Sequence, residues 1–362
     1  MGLQRDNRIY RLLCANHCRL QFLGLREMDI CPNLPNELWL QVINNLGQPV
    51  HASAYRLDPG CASTLTQLCR VNRTLNALSA PVLYSRVYVT PDNLDSFSNA
   101  IGASDRIGNL NRNVVPSDTA VLVTSLALVG FRKDENHPSM DTYWHRIGCV
   151  LVTLKPFLVR LFFDVYSPGP RANQLSSNTY ESAMHGAIRA LSAIQEFCCT
   201  EDSLRPDMLP AWKTVRRMAM AGSWINSGFL EKLSEMEAMK NCILAWPIRL
   251  LADVEFKLSV IRGSWVAVRT TELVVAVSDP SYWVLRRLQA AWSKEGDIKH
   301  GGKATLKVME VPQALMRAGH IPERREIWFS QIALDGSIWN LCTEPWDIYS
   351  RKINVTEDDS FI

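Results

Sequence analysis

The sequence predicts an α/β protein in which a small helical module precedes an irregular βα solenoid. Three observations carry that expectation. The stretch "CPNLPNELWLQVINNL", Cys31 to Leu46, combines helix-start signals with an amphipathic pattern. From about Thr119 onward, short β-type runs recur at intervals of roughly 20 to 35 residues, the spacing of stacked βα units, with helical patterns between several of them. With 362 residues, 47% hydrophobic and 21% charged, the chain is long and apolar enough to bury a sizeable core.

The first helix is read from its ends. Asn33 or Asn36 caps its start, and Pro35 suits the first turn, where a missing N–H costs nothing. Glu37 places a negative charge at the positive end of the helix dipole. Leu38, Val42, Ile43 and Leu46 recur at helical spacing on one face, and Gly47 stops the run. After a polar gap containing Pro and Gly, Leu65, Leu68, Cys69, Val71, Leu75 and Leu78 read as one further helix, ended by Pro81. The tail "VLYSRVYV" alternates apolar and polar residues and reads as a short strand or extended exit.

Eight later runs read as strands. They are Val123–Gly130, Val159–Tyr166, Ile194–Thr200, Thr214–Gly222, Asn241–Trp246, Thr271–Ser278, Thr305–Val311 and Ile327–Leu334. Helical patterns fall between several of them: Met184, Ile188 and Leu191 share one face, as do Leu230, Leu233, Met236 and Met239. The intervals fit a right-handed solenoid of the leucine-rich-repeat type, although its strict signature of leucines at fixed offsets with an Asn or Cys ladder is absent. The best local match is "FLEKLSEMEAMKNCILAW". A doubly wound α/β sheet satisfies the same spacing and stands as the alternative.

"LPNELWLQVINNL" followed by "LCRVNRTLNALSAPVLYSRV" resembles an F-box of the fungal type. The residues that carry the resemblance are Leu34, Pro35, Glu37, Leu38, Ile43 and Leu46 in the first half. In the second half they are Leu68, Val71, Asn72, Arg73, Leu78, Pro81, Leu83 and Tyr84. The resemblance implies a three-helix unit that docks a Skp-type adaptor, and through it a cullin, by Leu34, Pro35, Leu38, Ile43, Leu46, Leu68, Val71, Leu78, Pro81, Leu83 and Tyr84. It divides the chain into an N-terminal extension (1–30), the F-box-like module (31–90) and a recognition domain (91–362) for an unidentified protein target. Fungal proteins of this kind commonly carry degenerate leucine-rich repeats, which supports the solenoid reading by association. Such a subunit performs no bond chemistry and needs no cofactor; it brings a target lysine close to a conjugating enzyme held elsewhere. The segment "GQPVHASAYRLDPGCAS" between the halves is longer than the family's usual connection and reads as a surface insertion beside the docking face. A non-ligase interaction scaffold with a degenerate F-box-like cap, and an α/β enzyme with an unrecognised pocket, are the competing functions.

Charge and cysteine usage narrow the setting. The net charge of +3 is not concentrated in a basic block, so neither nucleic acid nor a membrane surface is expected as a partner. Arg11, His17 and Arg19 interrupt the apolar residues near the N-terminus, so no signal-peptide core forms, and the 10 cysteines read as reduced thiols. Asp6 stands where a myristoylation start wants Ser or Thr, and Lys155, Pro156 and Arg160 break the longest apolar region. A cytoplasmic or nuclear protein is expected.

Motifs of chemistry are sparse. Cys14, His17, Cys18 and Cys31 supply zinc-type ligands, but the adjacent His17 and Cys18 do not suit a chelating pair. "GGKATLK" at Gly301 lacks the frame of a phosphate loop and reads as a turn before a strand. Cys198 and Cys199 sit side by side in a strand-like run, so one faces each side of the sheet. Nine of the 11 tryptophans follow residue 210, which marks either a recognition surface or gap-filling between irregular units.

Overall fold

Residues 35–48, 53–103, 117–131, 140–165, 178–200, 209–210, 212–222, 225, 229, 232–233, 235–246, 272–277, 305–310 and 321–343 are described in the computed structural model of the chain. The chain divides into two compact units, Met1–Val42 and Ile43–Ile362.

Helix α1 spans Asn36–Gly47 and crosses from one unit into the other. In the first unit Pro35 stands just ahead of it, its carbonyl accepting from the backbone N–H of Leu38 and of Trp39. In the second, Ile43 and Leu46 are buried, and the guanidinium of Arg86 donates to the Gly47 carbonyl at 3.2 Å, satisfying one of the acceptors a helix end leaves open.

The single helix expected from Leu65 to Leu78 is two helices, α2 (Pro59–Val71) and α3 (Arg73–Tyr84). Asn72 makes the break. Its backbone is extended, and its side-chain oxygen accepts from Leu75 N–H at 2.8 Å, capping α3. Pro81 does not end a helix but lies inside α3. A proline removes one intrahelical donor, and here that falls in the last turn, four residues before Ser85. Asp58 caps α2 by accepting from Gly60 and Cys61 N–H at 2.9 and 3.2 Å.

Ser85 leads directly into an eight-stranded parallel sheet. Its strands are β1 (Arg86–Val89), β2 (Ser125–Phe131), β3 (Arg160–Val165), β4 (Glu196–Cys199), β5 (Arg217–Ala221), β6 (Asn241–Ala245), β7 (Glu272–Val277) and β8 (Thr305–Glu310). The strands lie side by side in chain order. That order never reverses, so the sheet lacks the switch point of a doubly wound fold. Helices α4 (Leu94–Ala100) and α5 (Asp118–Leu122) lie between β1 and β2; α6 (Met140–Leu154) and α7 (Asn178–Arg189) follow β2 and β3 and pack on each other.

Alternation along the strands builds two cores. One face carries large residues, among them Leu126, Leu161, Phe163, Phe197, Met218 and Leu244, which pack with Trp144, Val150 and Leu154 of α6 and with Met184 and Ile188 of α7. Leu191, Leu233, Met236 and Met239 join this core, although Leu191, Met236 and Met239 stand outside helices, and Leu230 lies outside the described residues. The other face is mostly small: Ala127, Ala219, Ala221, Ala245 and Ala276 lie beside Phe162, Cys198, Ile243 and Val274. Small side chains let a covering layer come close to the strands. Cys198 and Cys199 fall on opposite faces, as expected.

What covers the small-residue face corrects the last strand assignment. Ile327–Leu334 is not a strand; it ends helix α8 (Ile321–Leu334), followed by a 3₁₀ turn (Ser337–Trp339) and α9 (Asn340–Thr343). In "IWFSQIAL" three apolar residues, two polar ones and three apolar ones succeed each other, so Phe329 and Ala333, four apart, face inward together. Phe329, Ala333, Leu334, Ile338, Trp339 and Cys342 all join the second core.

Candidate functional site

Two regions carry features beyond core packing: the helical module and the N-terminal edge of the small-residue face.

In the first unit, Leu34 lies outside the described residues, Pro35 is exposed, and Leu38 is 42% exposed. In the second unit the expected docking residues split. Ile43 and Leu46 are buried and act as packing residues. Leu68, Leu78 and Leu83 are half-buried. Val71, 51% exposed, and Tyr84, 39% exposed, present large apolar side chains to solvent, and Pro81 is exposed as well. Ala77, Pro81 and Tyr84 are spaced four and three apart on α3 and all are exposed, so they share one face.

The insertion between the two halves does not behave as a surface loop. Ser53, Ala54, Tyr55 and Leu57 are buried, and Pro59 already belongs to α2. Tyr55 enters the second core, with its ring 5.9 Å from that of Phe162, and its hydroxyl donates to the Leu161 carbonyl and to Cys198 Sγ at 3.4 and 3.5 Å. Its backbone N–H donates to the Leu334 carbonyl at 2.8 Å. The insertion and the C-terminal helix therefore meet over the sheet and close its second face together.

Along the N-terminal edge of that face the strand register aligns Arg86, Ser125, Arg160, Glu196, Arg217, Asn241 and Glu272 in one row. Arg217 pairs with Glu196, and the Asn241 amide donates to Glu272. The guanidinium of Arg160 lies 5.8 Å from the Tyr55 ring centre and that of Arg217 lies 5.1 Å from the Trp339 ring centre. Both are cation–π contacts that tie the cap to the row. At the opposite strand ends Asp164 accepts from Gly130 N–H at 3.1 Å and from the Thr200 hydroxyl at 2.7 Å, a staple across β2, β3 and β4.

Tyr55, Cys198 and Cys242 are held in their uncharged forms. Burial, then the proximity of Cys198 and Glu196, pushes the Tyr55 phenol well above its ordinary range. Burial pushes the Cys198 thiol up to about 12, and it raises the Cys242 thiol further. A thiol that stays protonated at neutral pH is a poor nucleophile, so these cysteines serve packing. Among the described residues no group of three or more His, Cys, Asp or Glu side chains suits a metal ion, and no helix is long and apolar enough to cross a membrane. The candidate zinc ligands Cys14, His17, Cys18 and Cys31 lie outside the described residues. Of the C-terminal tryptophans, Trp212, Trp246 and Trp339 are buried and Trp328 is half-buried against Trp246.

The polar row and its cap escape a reading of periodicity alone. Two signals announce them: a polar residue opening each of the eight strands, and the run of alanines on alternate strand positions. No family model matches the chain, and neither curated proteins nor solved structures yield a match.

Proposed function

We propose that this chain is the substrate-recognition subunit of a Skp/cullin/F-box-type ubiquitin ligase, with its helical module docking a Skp-type adaptor and its βα domain, a solenoid of leucine-rich-repeat type, holding a protein target. The observation that carries the reading is the exposure of Val71 and Tyr84, large apolar residues left in solvent by α2 and α3 although a buried core lies next to them. Apolar residues that a small helical unit keeps outside its own core are the usual material of a partner interface. The unbroken sequential strand order supports the solenoid, because each strand meets only its neighbours in the chain. The chain supplies no nucleophile or metal to the reaction in this role; it supplies proximity.

Co-expression with a Skp-type adaptor tests the proposal. The full chain is expected to co-purify with the adaptor, and Val71→Asp combined with Tyr84→Asp to abolish capture while leaving the circular dichroism spectrum unchanged. Absence of capture, or capture indifferent to the two charges, overturns it.

A non-ligase scaffold is the second reading, favoured by the cap on the small-residue face, which Tyr55, Phe329 and Trp339 already occupy. It expects a stable monomer and no adaptor in the same co-purification.

A further inference from the structure

β1 stands at one end of the strand order, paired with β2. The Ser85 carbonyl accepts from Ser125 N–H at 3.0 Å, so the backbone of Ser85 faces β2. Backbone groups alternate in direction along a strand. Val87 and Val89 therefore face β2 as well, while Arg86, Tyr88 and Thr90 direct their N–H and C=O groups away from the sheet. Such outward groups are a template for pairing with another chain, and stable folds cover or break them. Side chains give this edge little cover. Val87 packs on the first core and Tyr88 on the second, which leaves backbone between them.

Asn93 meets that edge. Its side-chain oxygen accepts from Thr90 N–H at 2.8 Å, and its side-chain nitrogen donates to the Tyr88 carbonyl at 3.2 Å. One residue of an adjacent parallel strand, opposite Val89, would engage the same two groups in the same sense. The carboxamide thus fills the place of a strand beyond β1. The local sequence delivers it there. Pro91 presets a tight turn after Thr90, closed by Asn93 N–H on the Thr90 carbonyl at 3.2 Å. Asn93 is also the N-cap residue of α4, where an asparagine ordinarily accepts from the first N–H groups of the helix, yet it makes no such bond. Its side chain is committed to the strand instead.

A second copy of the chain fits the edge that Asn93 covers. Related by a two-fold axis, its β1 would run antiparallel to this one, with outward residues opposite each other. Arg86 then exchanges both backbone bonds with Tyr88 of the second copy, and Tyr88 does the same with Arg86 of that copy. This register keeps the two Arg86 charges from standing directly opposite one another, where like charges destabilise a sheet. Its acceptors include the Tyr88 carbonyl of each copy, the group that Asn93 occupies.

We propose that the outer edge of β1 is a self-pairing surface for a second copy of this chain, and that Asn93 holds it closed. The carboxamide must leave the Tyr88 carbonyl before two edges meet, so the monomer is favoured while Asn93 is in place. The device involves β1 and the turn after it alone and does not rest on adaptor docking through Val71 and Tyr84.

The test uses the full chain, with sedimentation velocity across the micromolar range and amide hydrogen exchange read at single residues. Wild type is expected to sediment as a monomer with the Thr90 amide protected. Asn93→Ala is expected to dimerise reversibly as concentration rises. At high dilution its Thr90 amide should exchange about fivefold faster, the loss of one hydrogen bond. In the dimer the Arg86 and Tyr88 amides should slow while Thr90, outside the paired register, stays fast. Adding Tyr88→Pro removes an outward N–H without touching the bonds to β2, and this double variant is expected to return to the monomer. If it does not fold, the exchange pattern of Asn93→Ala carries the decision. A monomeric Asn93→Ala overturns the proposal, as does a dimer whose Arg86 and Tyr88 amides exchange as in wild type. Growth beyond the dimer, or a wild type that associates as strongly as the variant, overturns it too.

Discussion

Gly336 is the point at which the closure of the second face can be broken with one methyl group. Its φ is +81°, in the left-handed region, and an added Cβ would stand 2.4 Å from Ala54 N and 2.5 Å from the Ser53 carbonyl carbon. Both neighbours are backbone, so no side chain can swing aside. For Gly336→Ala three contributions add. The left-handed conformation costs about 1–2 kcal/mol for a residue with a Cβ. The smaller entropy of the unfolded chain returns about 0.4–1 kcal/mol. Forcing an atom into a filled contact costs about 1–3 kcal/mol. The sum is a destabilisation of roughly 3 kcal/mol. Gly130 isolates the last contribution, because its φ is +77° and nothing lies within 4 Å of its added Cβ. Gly130→Ala should therefore cost only about 0.5–1 kcal/mol. Urea unfolding of both variants, read from the midpoint at constant slope, measures the difference. Effects equal to within about 0.5 kcal/mol would refute the contact between the insertion and the C-terminal cap.

Two further outcomes are expected. The Cys198 thiol is raised from 9.0 to about 12 by burial and the Tyr55 phenol is raised above 10.0 in the same sense. Folding therefore favours their protonated forms, and the stability they contribute is complete below pH 9 and declines above it; the slope reaches about 1.4 kcal/mol per pH unit for one proton. Denaturant melts at pH 8 and pH 10 should show the decline, and Cys198→Ala should lessen it; an unchanged slope in that variant would contradict the burial of this thiol. Asn72→Ala removes the cap of α3 and should cost about 1 kcal/mol by the same urea assay, whereas Asn72→Asp, which keeps an acceptor for Leu75 N–H, should cost less.

The two faces of the sheet were unequally legible in the sequence. Seven of the eight later strand assignments fell on real strands because β-branched and aromatic runs bounded by turns carry their own signal. The large-residue face was legible too, since Met184, Ile188 and Leu233 announce a helix-facing core by their spacing. The small-residue face was not. Its alanines read as filler until the strands are aligned, and only then does Ala127 stand over the same layer as Ala219 and Ala245. Ile327–Leu334 was mistaken for a strand because a short apolar run fits either period. The helix break at Asn72 was masked by apolar residues that continue in phase on both sides, so the cap outweighed the periodicity. Of the residues expected to dock a partner, Ile43 and Leu46 illustrate the limit of a motif: the pattern that marks an interface helix also marks a core helix, and both side chains are buried.

The insertion ties these threads together. Read as a surface loop, Gly47–Ser63 would lie beside the face that the F-box resemblance expects to dock an adaptor. In the fold, Ser53, Ala54, Tyr55 and Leu57 turn inward, and the end of the segment becomes the first turn of α2. Its energetic partner is the C-terminal helix, through Leu334 and Gly336, and its aromatic anchor lies on Phe162 and Cys198 in the second core. A partner that used the sheet face from β3 to β6 would first have to displace Tyr55 and Trp339, each fixed by an arginine of the polar row. That displacement gives up two cation–π contacts together with the burial of two large aromatic rings, of which each is worth several kcal/mol on full truncation. A ligand of that face therefore competes with the chain's own cap, which Tyr55 and Trp339 hold in place.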